Sequence, residues 1–224
     1  MSSPGELSSV LPTVTLTVVD HPLVADRVLT LRDERTKSVD FRRIAREIAS
    51  FLAYEATRDL PTVVDEVTTP LGLVASGRRP STPGPLVVPI LRAGLGLLDG
   101  VLAALPDAEV GVIGLKRDET THRPLAYLER LPDDLAGRPA YIVDPMLATG
   151  GSLATACEML RTRGAGSITA LCLIAAPEGV DRVHATEPGA RIFTAALDPK
   201  LNEHAFIVPG LGDAGDRLYG AGSA

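Results

Sequence analysis

Residues 141–156 read YIVDPMLATGGSLATA, and this stretch decides the fold prediction. A short apolar run from Tyr141 to Val143 ends at a carboxylate, Asp144, and several small residues follow before Ser152 opens a segment with helical spacing. Buried strands seldom end in an acid and two glycines for packing reasons alone. A strand, a flexible turn and a helix in this order predict a ligand-binding loop at the carboxyl end of a strand in an α/β sheet.

The second half of the chain repeats this pattern of short apolar runs bounded by turn residues. Continuous apolar runs are typical of parallel strands that are covered on both faces. The predicted strands are 86–90, 110–115, 140–143, 168–176 and 191–197, and the predicted helices are 97–105, 152–163 and 178–187. The alternation predicts right-handed crossovers and an α/β fold, an open, mostly parallel twisted sheet with helices on both faces.

The first half of the chain contains one clear helix. From Ser38 the apolar residues recur at the 3.6-residue period of an amphipathic helix, which is predicted to stop before Pro61. Other segments are predicted to be extended or irregular: an arm at 62–72, loops at 76–85 and 131–139, and a hairpin or flap at 124–132, between the second and third predicted strands.

The composition is that of a water-soluble globular protein, with 224 residues of which 45% are hydrophobic and 22% charged. Residues 1–15 lack the basic start and continuous apolar core of a signal peptide. They are predicted to be a disordered tail instead. Residues 16–224 are predicted to form a single domain. No stretch approaches the roughly 20 apolar residues that span a bilayer, so no membrane partner is expected.

The charge balance and the cysteines bear on partners and location. Twenty-two basic against twenty-eight acidic residues give a net charge of −6, which disfavours a nucleic-acid partner. The two cysteines, Cys157 and Cys172, lie in apolar settings and are expected to be buried free thiols. A cytoplasmic location is therefore expected.

The loop that follows the third predicted strand has residue types that bind a phosphorylated sugar. Gly150 and Gly151 allow backbone N–H groups to face a ligand closely. Ser152 is expected to cap the next helix, whose positive end attracts a phosphate, and Thr149 adds a second hydroxyl donor. Asp144 would repel that phosphate, so it is expected to face the sugar hydroxyls or, through water, a magnesium ion.

Other interpretations of this loop are open from the residues alone. A Gly-Gly-Ser turn is also common as a simple helix cap. The run from Gly150 to Ala154 is close to the G-x-S-x-G elbow of a hydrolase, but there the serine directly follows the strand, whereas residues 144–149 intervene here. No G-x-x-x-x-G-K-[ST] sequence occurs, so a nucleotide triphosphatase is unsupported.

VDPMLATGGS resembles the phosphoribosyl-pyrophosphate (PRPP) loop of the phosphoribosyltransferases, and its Pro-Met-Leu-Ala form resembles that of uracil phosphoribosyltransferases in particular. Further segments resemble the same family in order and at compatible spacing: HPL at 21–23, YEATRDL at 54–60, VPILRAGLGLLDG at 88–100, KRDETTHRP at 116–124 and LNEHAFIVPGLGDAGDRLYG at 201–220. The resemblance implies the type I phosphoribosyltransferase fold. It also implies a pyrimidine-salvage reaction in which uracil and PRPP give uridine monophosphate (UMP) and pyrophosphate, with Mg²⁺ as cofactor.

The resemblance further implies roles for particular residues. Asp144 and Arg117 are expected to be catalytic, Asp144 by binding the ribose hydroxyls and Arg117, with Arg92, by contacting pyrophosphate. PRPP is expected to contact Arg92, Arg117, Asp144, Pro145, Met146, Leu147, Ala148, Thr149, Gly150, Gly151, Ser152 and Asp213, and uracil to contact Ile207, Gly212, Asp213 and Ala214. No direct protein ligand is expected for Mg²⁺, which PRPP and water would mainly hold.

The resemblance also bears on partners and motion. It implies a homo-oligomer, a dimer or larger, and leaves open whether GTP is an effector. Residues 116–131 are expected to close over PRPP as a flap. Two rival functions are an RNA-binding regulator, disfavoured by the net charge and the 4% aromatic content, and a transferase for a purine or orotate. Orotate would require a cation near its carboxylate, and 207–214 offers none.

Overall fold

The computed structural model describes residues 15–81, 84–117 and 124–220. The strands are β1 (Thr15–Val18), β2 (Thr62–Thr68), β3 (Val74–Pro80), β4 (Leu86–Leu91), β5 (Glu109–Val110), β6 (Val112–Arg117), β7 (Pro124–Arg130), β8 (Ala140–Val143), β9 (Met146–Leu147), β10 (Ile168–Ala175), β11 (Arg191–Leu197), β12 (Lys200–Leu201) and β13 (Ile207–Val208). The helices are α1 (Pro22–Arg32), α2 (Ser38–Ala56), α3 (Leu95–Ala104), α4 (Gly151–Thr162), α5 (Pro177–Thr186) and α6 (Ala214–Tyr219). No helix in these segments is both long enough and apolar enough to cross a membrane.

Within the described residues the main sheet has nine strands. Its order is β1-β11-β10-β8-β4-β6-β7, with β5 paired to β4 and β9 paired to β10. Among its described strands only β6 and β7 pair antiparallel, and all the other pairs are parallel. The predicted open, mostly parallel α/β sheet is therefore confirmed.

Helices cover both faces of this sheet. Alternate residues of a strand point to opposite faces, so Tyr141 and Val143 join a core with α1, α2 and α3, whereas Ala140 and Ile142 join a second core with α4 and α5. The buried runs in β4, β8 and β10 are apolar at nearly every position because each contributes to both cores.

The strong sequence patterns agree with the structure to within one or two residues at most ends. The strand predicted at 110–115 is in fact interrupted at Gly111, where β5 ends before β6 begins. A Cβ atom at Gly111 would lie 2.7 Å from the end of the Leu131 side chain and 3.2 Å from the Arg130 carbonyl, so a larger residue at this bend would displace Leu131. The helix predicted from Ser38 ends at Ala56, several residues before Pro61.

Helix α1 was not predicted. Its buried residues, Val24, Val28 and Leu31, form a narrow stripe. Because Leu23 and Leu29 are apolar but exposed, the apolar residues of this segment show no clear helical period in the sequence. The start signal was present, however, because the His21 side chain accepts a hydrogen bond from the N–H of Leu23 at 3.1 Å and proline occupies the first helical position.

The arm predicted at 62–72 is the first strand of a hairpin. Strand β2 pairs with β3 from Thr62 opposite Pro80 to Thr68 opposite Val74. The loop prediction for 76–85 is therefore wrong for residues 76–80, which lie in β3. Residues 131–139 contain no helix or strand, as predicted.

The segment predicted as a hairpin or flap at 124–132 is an edge strand. Strand β7 pairs antiparallel with β6 and completes one edge of the main sheet. Residues 118–123 lie outside the described residues, so closure of 116–131 stays a prediction. Of the tail predicted at 1–15, residues 1–14 also lie outside them, and Thr15 begins strand β1.

Candidate active site

Asp144 follows the last residue of β8 at the carboxyl edge of the sheet. Its backbone N–H donates to the Leu171 carbonyl at 3.2 Å, and the Pro145 carbonyl accepts from the N–H of Leu173 at 3.0 Å. These bonds hold the beginning of the loop against β10. The loop therefore leaves a fixed strand end, and only its glycine-rich part lies free of the sheet ladder.

The second part of the loop packs backbone against backbone on the first turn of α5. Gly150 has φ +74°, and a side chain there would approach the Gly179 carbonyl to 2.5 Å. A side chain at Gly179 would in turn approach the Ala148 carbonyl to 2.5 Å. Two glycines are thus required for this close approach.

Helix α4 begins one residue earlier than predicted. Gly150 is the N-cap, Gly151 is the first helical residue, and Ser152 lies in the first turn, so the predicted capping role of Ser152 is wrong. The first bond within the helix runs from the Ala154 N–H to the Gly150 carbonyl at 2.9 Å. The N–H groups of residues 151–153 have no partner within the helix, and such groups attract anions.

Two cavities meet at this loop. One, of about 340 Å³, is lined by Asp144, Met146, Leu147, Ala148, Thr149, Gly150, Gly151, Ser152, Leu153, Cys172 and Asp213. The other, of about 320 Å³, is lined by Arg92, Ala93, Asp144, Met146, Ala148, Ala205, Phe206, Ile207, Gly212, Asp213, Ala214 and Gly215. Both cavities share the two carboxylates Asp144 and Asp213, so we treat them as one cleft. The first cavity is called its phosphate end and the second its base end.

Arg92 reaches the base end from the turn between β4 and α3. Gly94 makes this turn possible, since a side chain there would lie 2.3 Å from the Val143 carbonyl and 2.7 Å from the Ile90 N–H nitrogen. The backbone of this turn therefore packs directly on β8, the strand that Asp144 follows. Arg92 itself is exposed, and it forms no ion pair with any other described residue.

Burial dominates the electrostatics of Asp144. Loss of solvent raises the pKa of this carboxyl group to about 7, against the opposing effect of a hydrogen bond from the Met146 backbone N–H. A carboxyl group that is costly to ionise without a ligand is typical of a functional cleft. Asp213, by contrast, accepts the Asp216 N–H at 2.9 Å and caps α6.

The raised pKa of Asp144 predicts a pH dependence of stability. Between the ordinary pKa of 3.8 and about 7 the folded protein binds more protons at this group than the unfolded chain does, so this group makes folding less favourable as pH rises. Asp144→Asn should therefore stabilise the ligand-free protein at pH 8, by no more than about 4 kcal/mol, and have little effect near pH 4. Urea unfolding at both pH values measures the difference.

The exposed acid Asp133 provides the control for this measurement. Asp133→Asn should shift the free energy of unfolding by a similar small amount at both pH values. A stability gain for Asp144→Asn that is equal at pH 4 and pH 8 would contradict the role assigned to burial.

The structure brings most of the predicted site residues to the cleft. All the predicted residues except Pro145 and Arg117 line one or both ends. Pro145 is buried and its carbonyl bonds to β10. Arg117 ends strand β6, and its side chain lies outside the described part of the structure.

Several lining residues were not predicted. At the base end these are Ala93, Ala205, Phe206 and Gly215, and at the phosphate end Leu153 and Cys172. Cys172 follows Leu171, which pairs with Val143 in parallel register, so Cys172 lies level with Asp144. Correct pairing of the two predicted strands would have identified Cys172; the other residues carry no chemical signal in the sequence.

The described residues contain no group of three or more His, Cys, Asp or Glu side chains that could hold a metal ion. Asp144 and Asp213 are the carboxylates that line the cleft. This donor set fits an ion that arrives with most of its oxygen ligands already in place, as Mg²⁺ bound to a polyphosphate does.

Comparison with known proteins agrees with the geometry. The family model described as uracil phosphoribosyltransferase matches residues 18–221. A curated uracil phosphoribosyltransferase from Streptomyces avermitilis is 56% identical over 208 residues, which cover 92% of this chain and 98% of that protein. One from Corynebacterium glutamicum is 53% identical over 205 residues, with coverage of 92% and 96%.

Solved structures share the fold. A protein from Aquifex aeolicus has a TM-score of 0.87 and 37% identity, covering 94% of this chain and all of that chain. Adenine phosphoribosyl transferase from Trypanosoma brucei has a TM-score of 0.57 at 12% identity and resembles this chain in fold only. The breadth of the family match, from the first strand to the end of α6, and the identity to its curated members show that this chain belongs to the uracil phosphoribosyltransferase family, whose members are pentosyltransferases.

Proposed function

We propose that residues 16–224 form a single phosphoribosyltransferase domain whose cleft binds PRPP and uracil and joins them to give UMP and pyrophosphate. The observation that carries the proposal is that one cleft combines a glycine-rich helix start at one end with a backbone-lined cavity at the other. The shared carboxylate Asp144 lies between them, where the sugar of a phosphoribosyl group would have to sit.

The phosphate end is proposed to hold the 5′-phosphate of PRPP. The free N–H groups at the start of α4 would donate to the phosphate oxygens, and the hydroxyls of Thr149 and Ser152 would add two donors. The glycines at 150 and 151 leave the backbone bare on this side. The lining is rich in donors and carries no Lys or Arg among the described residues, so the helix start supplies the attraction.

The middle of the cleft is proposed to bind the ribose and the leaving pyrophosphate. Asp144 would accept hydrogen bonds from the ribose hydroxyls and so fix the position of C1. Arg92, at the base end, and Arg117, at the end of β6, would contact pyrophosphate, for which the planar and permanently charged guanidinium is suited. Met146, Leu147, Ala148 and Asp213 would complete the contacts with PRPP, whereas Pro145 would act through its bond to β10.

The base end is proposed to read uracil through backbone atoms. Uracil offers two carbonyl oxygens and one N–H in its plane, and the segment containing Ile207, Gly212, Asp213 and Ala214 can supply matching N–H and C=O groups. Cytosine reverses a donor and an acceptor, so it would leave buried backbone groups unpaired and be rejected.

The reaction needs little covalent work from the protein. The bond from C1 to the pyrophosphate oxygen breaks as N1 of uracil approaches from the opposite side, and positive charge develops on the ribose. The N1–C1 bond then forms, and the proton of N1 is released together with pyrophosphate. The protein orients the two substrates and excludes water from the cleft. Asp144 and Asp213 line the cleft where Mg²⁺ bound to PRPP would lie, and such an ion would supply positive charge beside the leaving pyrophosphate.

The proposal is tested by measuring UMP formation from uracil, PRPP and Mg²⁺ by the purified protein. A panel of uracil, orotate, adenine and hypoxanthine should give product with uracil alone. Product with orotate or a purine, or none with uracil, would overturn the substrate assignment. Tight, salt-sensitive binding of RNA in a gel-shift assay would favour the regulator instead.

We also propose a homodimer that uses the β2–β3 hairpin. A two-stranded hairpin has little stability on its own. This hairpin also exposes apolar residues in its strands and in its turn, among them Val64 in β2 at 71% exposure and Leu71 in the turn at 85%. Val63 and Val67 are also exposed and, by the two-residue period of a strand, lie on the face opposite Val64. A second copy of the chain would cover this ribbon.

The dimer proposal predicts the effect of a charge in the ribbon. Val64→Asp should roughly halve the mass of the protein in solution, as measured by light scattering, because burying an unpaired carboxylate disfavours association. The matched control is Val39→Asp, an exposed apolar position on α2, which should leave the mass unchanged. A dimer that persists in Val64→Asp would refute this assignment of the interface.

Two further parts of the proposal concern an effector, which the family resemblance leaves open, and the location of the protein. GTP is proposed as an effector, and addition of GTP to the UMP assay tests it. A cytoplasmic location is proposed because Cys157 and Cys172 are both buried free thiols.

A further inference from the structure

The last residue of α1 forms a partly buried ion pair with the residue that follows β11. Arg32 Nη2 donates to Asp198 Oδ1 at 2.5 Å, and Arg32 Nη1 donates to Asp198 Oδ2 at 2.8 Å. The Asp198 side chain is only 5% exposed. Its backbone N–H donates to the Ala175 carbonyl at 2.8 Å, so Asp198 is fixed to the carboxyl edge of the sheet. A two-bond pair of this kind is both strong and directional.

Gly210 completes this pair into a closed ring of hydrogen bonds. Its backbone N–H donates to Asp198 Oδ2 at 2.8 Å, and its carbonyl accepts from Arg32 Nη1 at 2.7 Å. Gly210 lies between Ile207 and Gly212, two of the residues that line the base end of the cleft. Both the N–H and the C=O of Gly210, at the centre of the segment 207–212 that is proposed to read the base, are therefore held by side chains from elsewhere in the chain.

A second arginine holds the same segment from the other side. Arg217 Nη1 donates to the carbonyls of Leu211, at 2.9 Å, and Leu31, and its Nη2 donates to the Asp33 carbonyl at 2.7 Å. Its guanidinium lies 4.5 Å from the centre of the Phe41 ring. The carbonyls of Leu31 and Asp33 belong to the end of α1, where such groups lack helical partners. The end of α1 is thus the common anchor for Gly210 and Leu211.

We propose that Arg32 and Asp198 are positioning residues for the base, which fix the backbone of residues 207–212 so that its N–H and C=O groups match uracil. This inference rests on the proposed function of the cleft. Neither Arg32 nor Asp198 is among the described residues that line either end of the cleft, so both would act through Gly210.

Loss of the pair between Arg32 and Asp198 should affect the preference for uracil over cytosine more than it affects turnover. Backbone groups can discriminate uracil from cytosine only if they stay in place when the wrong base enters, because a loop that moves can satisfy either pattern. Most of the phosphate end is lined by residues 144 and 146–153, and the side chains of Arg32 and Asp198 form no hydrogen bond to any of these residues. Loss of the pair should therefore affect the base and spare PRPP.

The test uses Asp198→Asn and Arg32→Lys in the full chain, each checked for folding by its thermal unfolding. Asn removes the charge of the pair, and Lys keeps a positive charge but loses the two-bond geometry. The KM for uracil should rise about tenfold or more in both variants, and the preference for uracil over cytosine should fall. The dissociation constant for PRPP in the absence of uracil should change less than about twofold.

The control makes the same Arg-to-Lys change in an exposed ion pair next to the same anchor. Arg35 is 85% exposed and pairs with Asp33, so Arg35→Lys should leave the KM for uracil unchanged. Amide hydrogen exchange at 207–212 should quicken in Arg32→Lys and stay unchanged in Arg35→Lys. The exchange readout is independent of activity.

The outcomes separate the two claims. If the wild type makes UMP and a folded Arg32→Lys variant keeps the wild-type KM for uracil, the positioning role is refuted while the proposed function stands. An equal loss of uracil and PRPP binding would refute it as well, since that pattern indicates a general structural role. A wild type that does not use uracil overturns the proposed function and, with it, this inference.

Discussion

Replacement of Asp144 by asparagine should lower turnover of UMP formation by about 10²–10³-fold, which is the loss typical of removing one preorganised electrostatic contact from an active site. Asparagine keeps the shape of the side chain but cannot provide the negative charge that steadies a ribose with developing positive charge. Asp144 lies at the junction of the two ends of the cleft, and its backbone is fixed to β10, so the substitution should leave the loop in place. Steady-state kinetics with uracil and PRPP measure the effect.

The control for this prediction is stability. The same variant should be at least as stable as the wild type at pH 8, because the poorly solvated carboxylate of Asp144 is costly to ionise in the ligand-free protein. A low turnover that accompanies unfolding would say nothing about catalysis. Wild-type turnover in a folded variant would remove Asp144 from the mechanism.

Replacement of Gly151 by valine should weaken PRPP binding by about tenfold to a hundredfold, the result of crowding a packed site by 1–3 kcal/mol. A Cβ atom at Gly151 would lie 3.2 Å from Pro124 Cγ and 3.8 Å from Thr149 Oγ1, and Gly151 lines the phosphate end. Because Pro124 closes one side of this position, we expect the methyl groups of valine to crowd the helix start that is assigned to the 5′-phosphate. Isothermal titration with PRPP and Mg²⁺ measures the affinity.

Two further variants make this second prediction specific. Gly151→Ala adds a single carbon and should have a smaller effect than valine. Thr155→Val changes a β-branched residue of the same helix that does not line the phosphate end, and it should bind PRPP normally. If Gly151→Val keeps the wild-type affinity, the phosphate lies elsewhere in the cleft.

The sheet was predictable because its signal is local. Strands such as β8 and β10 are buried on both faces, so they appear in the sequence as unbroken apolar runs. Asp144 was predictable for the same reason, since an acid directly after such a run is conspicuous. The phosphate end could be predicted from the apolar strand, the acid that follows it, and the two glycines at 150 and 151.

The elements that escaped prediction depend on distant partners. Helix α1 has a narrow buried stripe, and β3 is exposed throughout, so neither has a clear period in the sequence. The capping role given to Ser152 failed because the positive φ of Gly150 starts α4 one residue early. The ring formed by Arg32, Asp198 and Gly210 joins positions up to 178 residues apart, and no local pattern indicates such a contact.

The anchor at the end of α1 also has a consequence for the order in which the site is completed during synthesis. The backbone that reads the base cannot be fixed in place until Arg217, which lies in α6, has been synthesised and reaches back to Leu31. A prematurely terminated chain that ends before α6 would therefore lack the restraint by which the site tells one nucleobase from another.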